Sequence, residues 1–183
     1  PMHDTHYNPY FGGIKESEES LSEKEKIDSA MYRARDYAIT QYLSVVNYMK
    51  SIGVNKPVHI GETGWATVCD QLYGKNGSKA VDEYKSAIYY KLMREWSNKE
   101  RISCFYFEAF DENWKNSVNP LHSENHFGLI DMQSQAKYAI WDLVDAGTFK
   151  GLTRNGKPIT KTYGGNEQSL WLDVVTPGRI LKN

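Results

Sequence analysis

The chain has 183 residues, with 22 Lys and Arg against 23 Asp and Glu and a formal net charge of −1. That balance argues against a nucleic-acid binder, which carries a basic excess on one face, and a charged share of 25% is that of an ordinary folded domain rather than a disordered tail. No run approaches the roughly 18 apolar residues of a membrane span.

In chain order, residues 1–13 read as the end of a strand and its loop, with Asn8-Pro9 and Gly12-Gly13 as breakers. This opening segment has neither the basic nor the apolar stretch of a signal peptide and starts directly into a motif-like run. It is expected to be the back part of something longer. Residues 14–26 are charge-rich, and Ser22 with Glu25 has the spacing of a capping box. From Ile27 to Ile52 apolar residues recur at helical spacing, which predicts a long amphipathic helix stopped by Gly53. Pro57 to Gly61 reads as a short buried strand, Glu62 to Ser78 as a glycine-bearing loop, and Ala80 to Trp96 as a second helix. Ile102 to Phe107 is strand-like, with aromatic and β-branched bias. A long polar and aromatic loop follows to about Gln133, then a short helix over Tyr138 to Val144 that Gly147 stops. The tail, residues 148–183, has turn signals at Asn155-Gly156 and Gly164-Gly165 and a strand-like run from Ser169 to Val175.

Alternating strands and helices predict βα units on a parallel sheet, either doubly wound or a (β/α)₈ barrel. In both, function sits in loops at the C-terminal ends of strands. Glu62 stands there, heading Gly61-Glu62-Thr63-Gly64-Trp65. A carboxylate at the tip of a buried strand costs free energy to desolvate unless it is paired, and packing does not require it. The alternative is a carboxylate that only ties down a loop. The segment FEAFDENWK supplies Glu108, Asp111, Glu112, Trp114 and Lys115 directly after a strand. Carboxylates kept ionised by a lysine, beside an aromatic ring on which a pyranose face stacks, suit a sugar. The alternative here is a solvated acidic loop. Glu124 and His126 add an acid and an imidazole.

Other features carry less. His3 and His6 are three apart, which on a strand puts them on opposite faces, and no third ligand has suitable spacing, so neither metal nor cofactor is expected. His59 reads as an interior histidine, and Asn76-Gly77-Ser78 fits a glycosylation sequon, a weak pattern. Cys69 and Cys104 are too few for a disulfide framework and are expected to be unlinked, mostly buried thiols.

Taken in order, these segments resemble glycoside hydrolase family 17, the β-1,3-glucanases and related glucanosyltransferases. ETGW (Glu62 to Trp65) is similar to the family's nucleophile motif after the seventh strand, and FEAFDENWK to its Glu/Lys segment after the eighth. ENHFGL (Glu124 to Leu129) resembles the segment that closes the site. NPYF (Asn8 to Phe11) is similar to the loop after the sixth strand, although a Tyr precedes the Asn where the family usually has an aromatic between Asn and Pro.

The resemblance implies an α/β chain forming the C-terminal part, about the last three βα units, of a (β/α)₈ TIM barrel. Residues 1–147 would form the partial barrel, from the end of strand six to helix eight, and residues 148–183 a short C-terminal extension. It further implies a retaining glycoside hydrolase of laminarin-like β-1,3-glucan, with Glu62 as nucleophile. Glu108, Glu112, Lys115, Glu124 and His126 would bind sugar hydroxyls, and Tyr10, Trp65 and Trp114 would stack on sugar rings. In the family the acid/base lies in an Asn-Glu pair after the fourth strand. The one such pair here, Asn166-Glu167, is in the tail. The acid/base is therefore expected in a missing N-terminal part, and the partners are a β-glucan poly- or oligosaccharide and that missing half of the barrel, with no nucleic acid and no membrane span. Glucanosyl transfer and a non-catalytic glucan-binding fragment are the alternative readings. The sequence carries no compartment signal of its own; a polymeric substrate, by its class alone, would be met outside the cytoplasm, by a secreted or periplasmic protein.

Overall fold

A computed structural model of the chain describes residues 13–69 and 79–178. Expectations at His3 and His6, at the NPYF loop with Tyr10, and at Asn76-Gly77-Ser78 lie outside the described residues.

The first element, α1 (Glu23–Ser51), starts where its sequence dictates. Ser22 Oγ accepts the Glu25 N–H, and the Glu25 carboxylate accepts the Ser22 N–H at 2.9 Å, so two of the orphan donors of the first turn are satisfied. It ends in a Schellman motif: Gly53 N–H donates to Lys50 O at 3.0 Å and Val54 N–H to Met49 O at 2.9 Å. Gly53 holds the required left-handed conformation at φ 76°. Ile27, Ala30, Met31, Ala34 and Ala38 form the buried stripe. The stripe was expected to run on to Ile52, but in the second half Val45, Tyr48 and Ile52 are 50%, 65% and 56% exposed.

Strand β1 (Ile60–Thr63), helix α2 (Glu83–Glu100) and strand β2 (Cys104–Tyr106) form one βαβ unit. The strands pair in parallel, Ile60 opposite Cys104 and Thr63 opposite Tyr106. β1 is displaced from the expected Pro57–Gly61, so Glu62 lies within the strand's last residues rather than after it. His59, expected inside, is exposed; its Nδ1 lies 2.8 Å from Ser103 Oγ and its ring packs edge-on against Phe105. α2 begins at Glu83 rather than Ala80, because the Asp82 carboxylate caps the Lys85 N–H at 2.8 Å and the Ala80 carbonyl is taken by the Trp65 indole at 2.9 Å. α1 packs on α2, with Met31, Trp65, Tyr84, Tyr89, Met93 and Phe127 at the centre of the core.

After the loop that follows β2 come β3 (Gln135–Ala136), a 3₁₀ turn over Tyr138–Ile140 and the short helix α3 (Trp141–Asp145). The tail folds onto this body. β4 (Thr153–Arg154) and β5 (Lys157–Pro158) make a hairpin whose turn residues, Asn155 at φ 51° and Gly156 at φ 74°, are both left-handed, as a type I′ turn demands. β6 (Thr160–Lys161) pairs in parallel with β3. The final element corrects an expectation: Glu167–Asp173 is a helix, α4, not a strand. Asn166 caps it by accepting the Ser169 N–H at 2.9 Å, and one face buries Leu170 and stacks Trp171 on Tyr84 while Leu172 stays 86% exposed. A short run of apolar residues fits either period, and here the cap and the α2 surface select the helix.

No disulfide joins the cysteines; Cys69 is buried and Cys104 half-buried in β2. No helix among the described residues is long and apolar enough to cross a membrane.

Candidate active site

Because β1 and β2 run in parallel, their C-terminal ends lie on one side of the sheet, and the chain leaves both there. Glu62 stands exposed at that end of β1. Its neighbour Thr63 turns inward, 2.8 Å from the buried Tyr89 hydroxyl, and fixes the strand end against α2. The two exits touch: Phe107 N–H donates to Thr63 O at 2.7 Å. At Gly64 an added Cβ would fall 1.8 Å from Phe107 O, so only glycine permits this approach.

The loop after β2 opens with Glu108, whose two carboxylate oxygens each accept from Lys115 Nζ at 2.9 Å. Glu112 lies 3.1 Å from the same ammonium, which also sits 3.9 Å from the centre of the Phe107 ring. Burial pushes the Glu108 carboxyl up to about 7; Lys115 opposes this and Glu112 adds to it. Burial also acts to raise Glu112, but hydrogen bonds with Lys115 and Glu108 outweigh it and hold that carboxyl below the ordinary range. Lys115 loses some proton affinity to desolvation, yet its two carboxylate partners leave it raised overall. The triad thus holds one cation between two carboxyls of unequal acidity. Trp114, on the same loop, is 70% exposed.

Trp65 departs from its expected stacking role. It is 0% exposed, its indole N–H is spent on Ala80 O, and its ring packs 5.0 Å from Tyr89. The residue shapes the core beneath Glu62 and presents no face to a ligand.

Glu124 sits half-buried in a 3₁₀ turn, Ser123–Asn125, whose approach to the triad loop is set by Asn125. Asn125 Oδ1 accepts the Asn116 N–H at 2.8 Å and its Nδ2 donates to Asn116 O at 2.8 Å. His126 Nε2 donates to Pro120 O at 2.7 Å, which places a proton on that nitrogen and locks the ring into the loop.

Beneath these residues lies a staple that the sequence did not single out. Lys137 Nζ, buried, donates to Asp111 Oδ1 at 2.7 Å, Thr67 Oγ1 at 2.9 Å and His126 O at 3.2 Å. Asp111, itself buried, also accepts the Gly128 N–H at 2.8 Å. A Cβ at Gly128 would lie 2.0 Å from Asp111 N, so this crossing too requires glycine. One ammonium therefore binds the exit loop of β1, the exit loop of β2 and the Glu124–Gly128 segment. Asp111 stood out as one acid in a dense cluster; nothing in the local pattern paired it with a lysine 26 residues on. Among the described residues no group of three or more His, Cys, Asp or Glu is arranged to hold a metal ion.

The parallel βα unit thus places an exposed carboxylate at one strand end, and carboxyls, a lysine and an open aromatic ring at the next. The model of glycosyl hydrolases family 17 matches residues 16–141, and the chain belongs to that family, whose enzymes are TIM barrels. The chain is 57% identical to an endo-laminarinase from Formosa Hel1_33_131, with a TM-score of 0.93 over 100% of this chain and 47% of that one. It is 36% identical over 93 residues to a glucan 1,3-beta-glucosidase of Arthroderma benhamiae, covering 47% of this chain and 28% of that protein. It is 31% identical over 107 residues to a glucan 1,3-beta-glucosidase of Saccharomyces cerevisiae, covering 56% and 31%. The chain thus spans under a third of the length of these curated relatives.

Proposed function

We propose that the polypeptide carrying this chain is a retaining glycoside hydrolase of β-1,3-glucan of the laminarin type, with Glu62 as its nucleophile. The observation that carries the reading is the placement of an exposed Glu62 at the C-terminal end of β1, beside the Glu108–Lys115–Glu112 triad at the end of β2. The likeness to an endo-laminarinase over 100% of this chain supports the substrate class. In such a reaction Glu62 attacks the anomeric carbon as the glycosidic bond breaks, a second carboxyl protonates the departing oxygen, and water then displaces Glu62. Glu112, Lys115, Glu124 and His126 hold sugar hydroxyls, Glu108 sets the charge on Lys115, and Trp114 stacks on a pyranose face.

We assign the acid/base, and the covering of one exposed apolar face, to the remainder of a barrel that this chain completes. Val45, Tyr48 and Ile52 of α1 are half or more exposed, and Phe105 of β2 is 66% exposed. A cavity of ≈ 360 Å³ opens between α1 and β1, lined by Tyr42, Val45, His59 and Glu62 among others. Apolar surface of this extent beside a strand edge suits burial under neighbouring βα units.

The test is Glu62→Ala in the full polypeptide, assayed on laminarin. Turnover is expected to fall by about three orders of magnitude or more, and azide in place of the missing carboxylate is expected to give a glycosyl azide of inverted configuration from an activated β-glucoside. Full turnover in Glu62→Ala would reject the assignment.

A further inference from the structure

The residues after Gly147 lie beyond the family match, which ends at residue 141. One of their side chains nevertheless reaches the loop that carries Glu112 and Lys115. Arg154 is the last residue of β4, and its guanidinium leaves the hairpin for the body. Nη1 donates to Asp131 O at 2.6 Å and Ile130 O at 3.3 Å; Nη2 donates to Asp111 O at 3.1 Å and lies 3.6 Å from Met132 Sδ. The guanidinium carbon is 4.5 Å from the centre of the Phe110 ring. These contacts converge where two segments of the site pair, since Asp111 N–H donates to Ile130 O at 2.9 Å and Ile130 N–H to Ala109 O at 3.0 Å.

The hairpin is fixed in turn. Ser134 Oγ donates to the Arg154 carbonyl at 2.9 Å, and Thr160 N–H donates to Ser134 O at 3.2 Å as β6 joins β3. We propose that Arg154 is a positioning residue for the sugar-binding loop, by which the C-terminal extension holds Glu112 and Lys115 in place. This rests on the glucan-binding reading of that loop. A planar guanidinium carries five donors in a fixed fork, so it can bond carbonyls in its own plane while its face stacks on a ring, a geometry that the point charge of an ammonium does not fix. The Asp111 carbonyl it holds belongs to the residue directly before Glu112, so its loss frees the backbone from which the triad projects.

In the full polypeptide, Arg154→Ala is expected to raise the KM for laminarin oligosaccharides about tenfold while changing kcat less than about twofold, because the loop binds sugar whereas Glu62 stands on β1. Arg154→Lys is expected to recover part of the KM. Hydrogen exchange is expected to rise over residues 108–115 and 128–132 with α1 and α2 unchanged. Unchanged KM together with an exchange rise confined to residues 153–158 would overturn the proposal, as would a loss spread evenly over kcat, KM and the exchange of α1 and α2. If the unaltered protein does not turn over laminarin, the function reading fails, and the exchange pattern alone decides the role of Arg154.

Discussion

Glu108 shows how a single side chain links chemistry to stability. Its carboxyl, raised from 4.5 to about 7 by burial, holds a proton in the folded state that the unfolded chain has already released. Between these values the native state binds more protons, so stability falls as pH rises from 4.5 towards 7 and levels off above it. Glu108→Gln is expected to flatten that part of a plot of Tm against pH; an unchanged slope would show that Glu108 does not titrate there. Its neighbours bear on it in opposite senses: Glu112→Gln removes a raising influence and Lys115→Met a lowering one. This trio is legible in the sequence because a lysine among acids after a strand is a local pattern. The place of Trp65 is not, since the same ETGW spelling fits an indole over the cleft or an indole under it. The hydrogen bond to Ala80 and the contact with Tyr89 decide that question, and both involve residues 15 or more positions away.

At the scale of elements, ends were more legible than middles. The Ser22–Glu25 box and Gly53 stop were visible because capping is local chemistry between residues three to five apart. The Asn155-Gly156 turn was visible for the same reason. The helix α4 was not, because seven residues are too few for a period to declare itself, and the deciding contacts come from Tyr84 and the Asn166 cap. The connection between the two exit loops was equally hidden, resting on the Lys137–Asp111 pair. Removing one partner of a buried pair leaves the other charge uncompensated, so Lys137→Met is expected to cost about 3–5 kcal/mol. The double change Asp111→Asn with Lys137→Met is expected to return part of that loss, as denaturant unfolding would measure. Equal destabilisation by the single and double changes would show that the charge pairing is not what holds the loops.

For the whole molecule, the near-neutral charge and the aromatic content of 13% set no architecture. The order of motifs did, through the resemblance to a barrel family. Of the barrel sheet that the resemblance implies, the parallel pair of β1 and β2 is described, and the apolar second half of α1 faces solvent beside it. On the proposed reading, the 183-residue chain by itself gives no laminarin turnover near enzyme values, typically 1–10³ s⁻¹, and binds the hydrophobic dye ANS. Joining it to a preceding barrel half is expected to restore turnover and abolish the dye signal. Turnover near enzyme values by the isolated chain would reject the need for a complement.

The sequence by itself determined where helices are capped, where tight turns fall, and that acids, a lysine and aromatic rings follow strand ends. Each of these depends on residues a few positions apart, whose physics is complete within the local chain. Tertiary structure alone decided that Trp65 is core, that His59 is exposed, that residues 167–173 form a helix, and that Lys137 and Arg154 bond the loops after β1 and β2 from beneath and behind. Those outcomes depend on burial and on partners far along the chain, such as Ala80 for Trp65, Tyr84 for Trp171, and Asp111 for both Lys137 and Arg154, which no local spacing encodes.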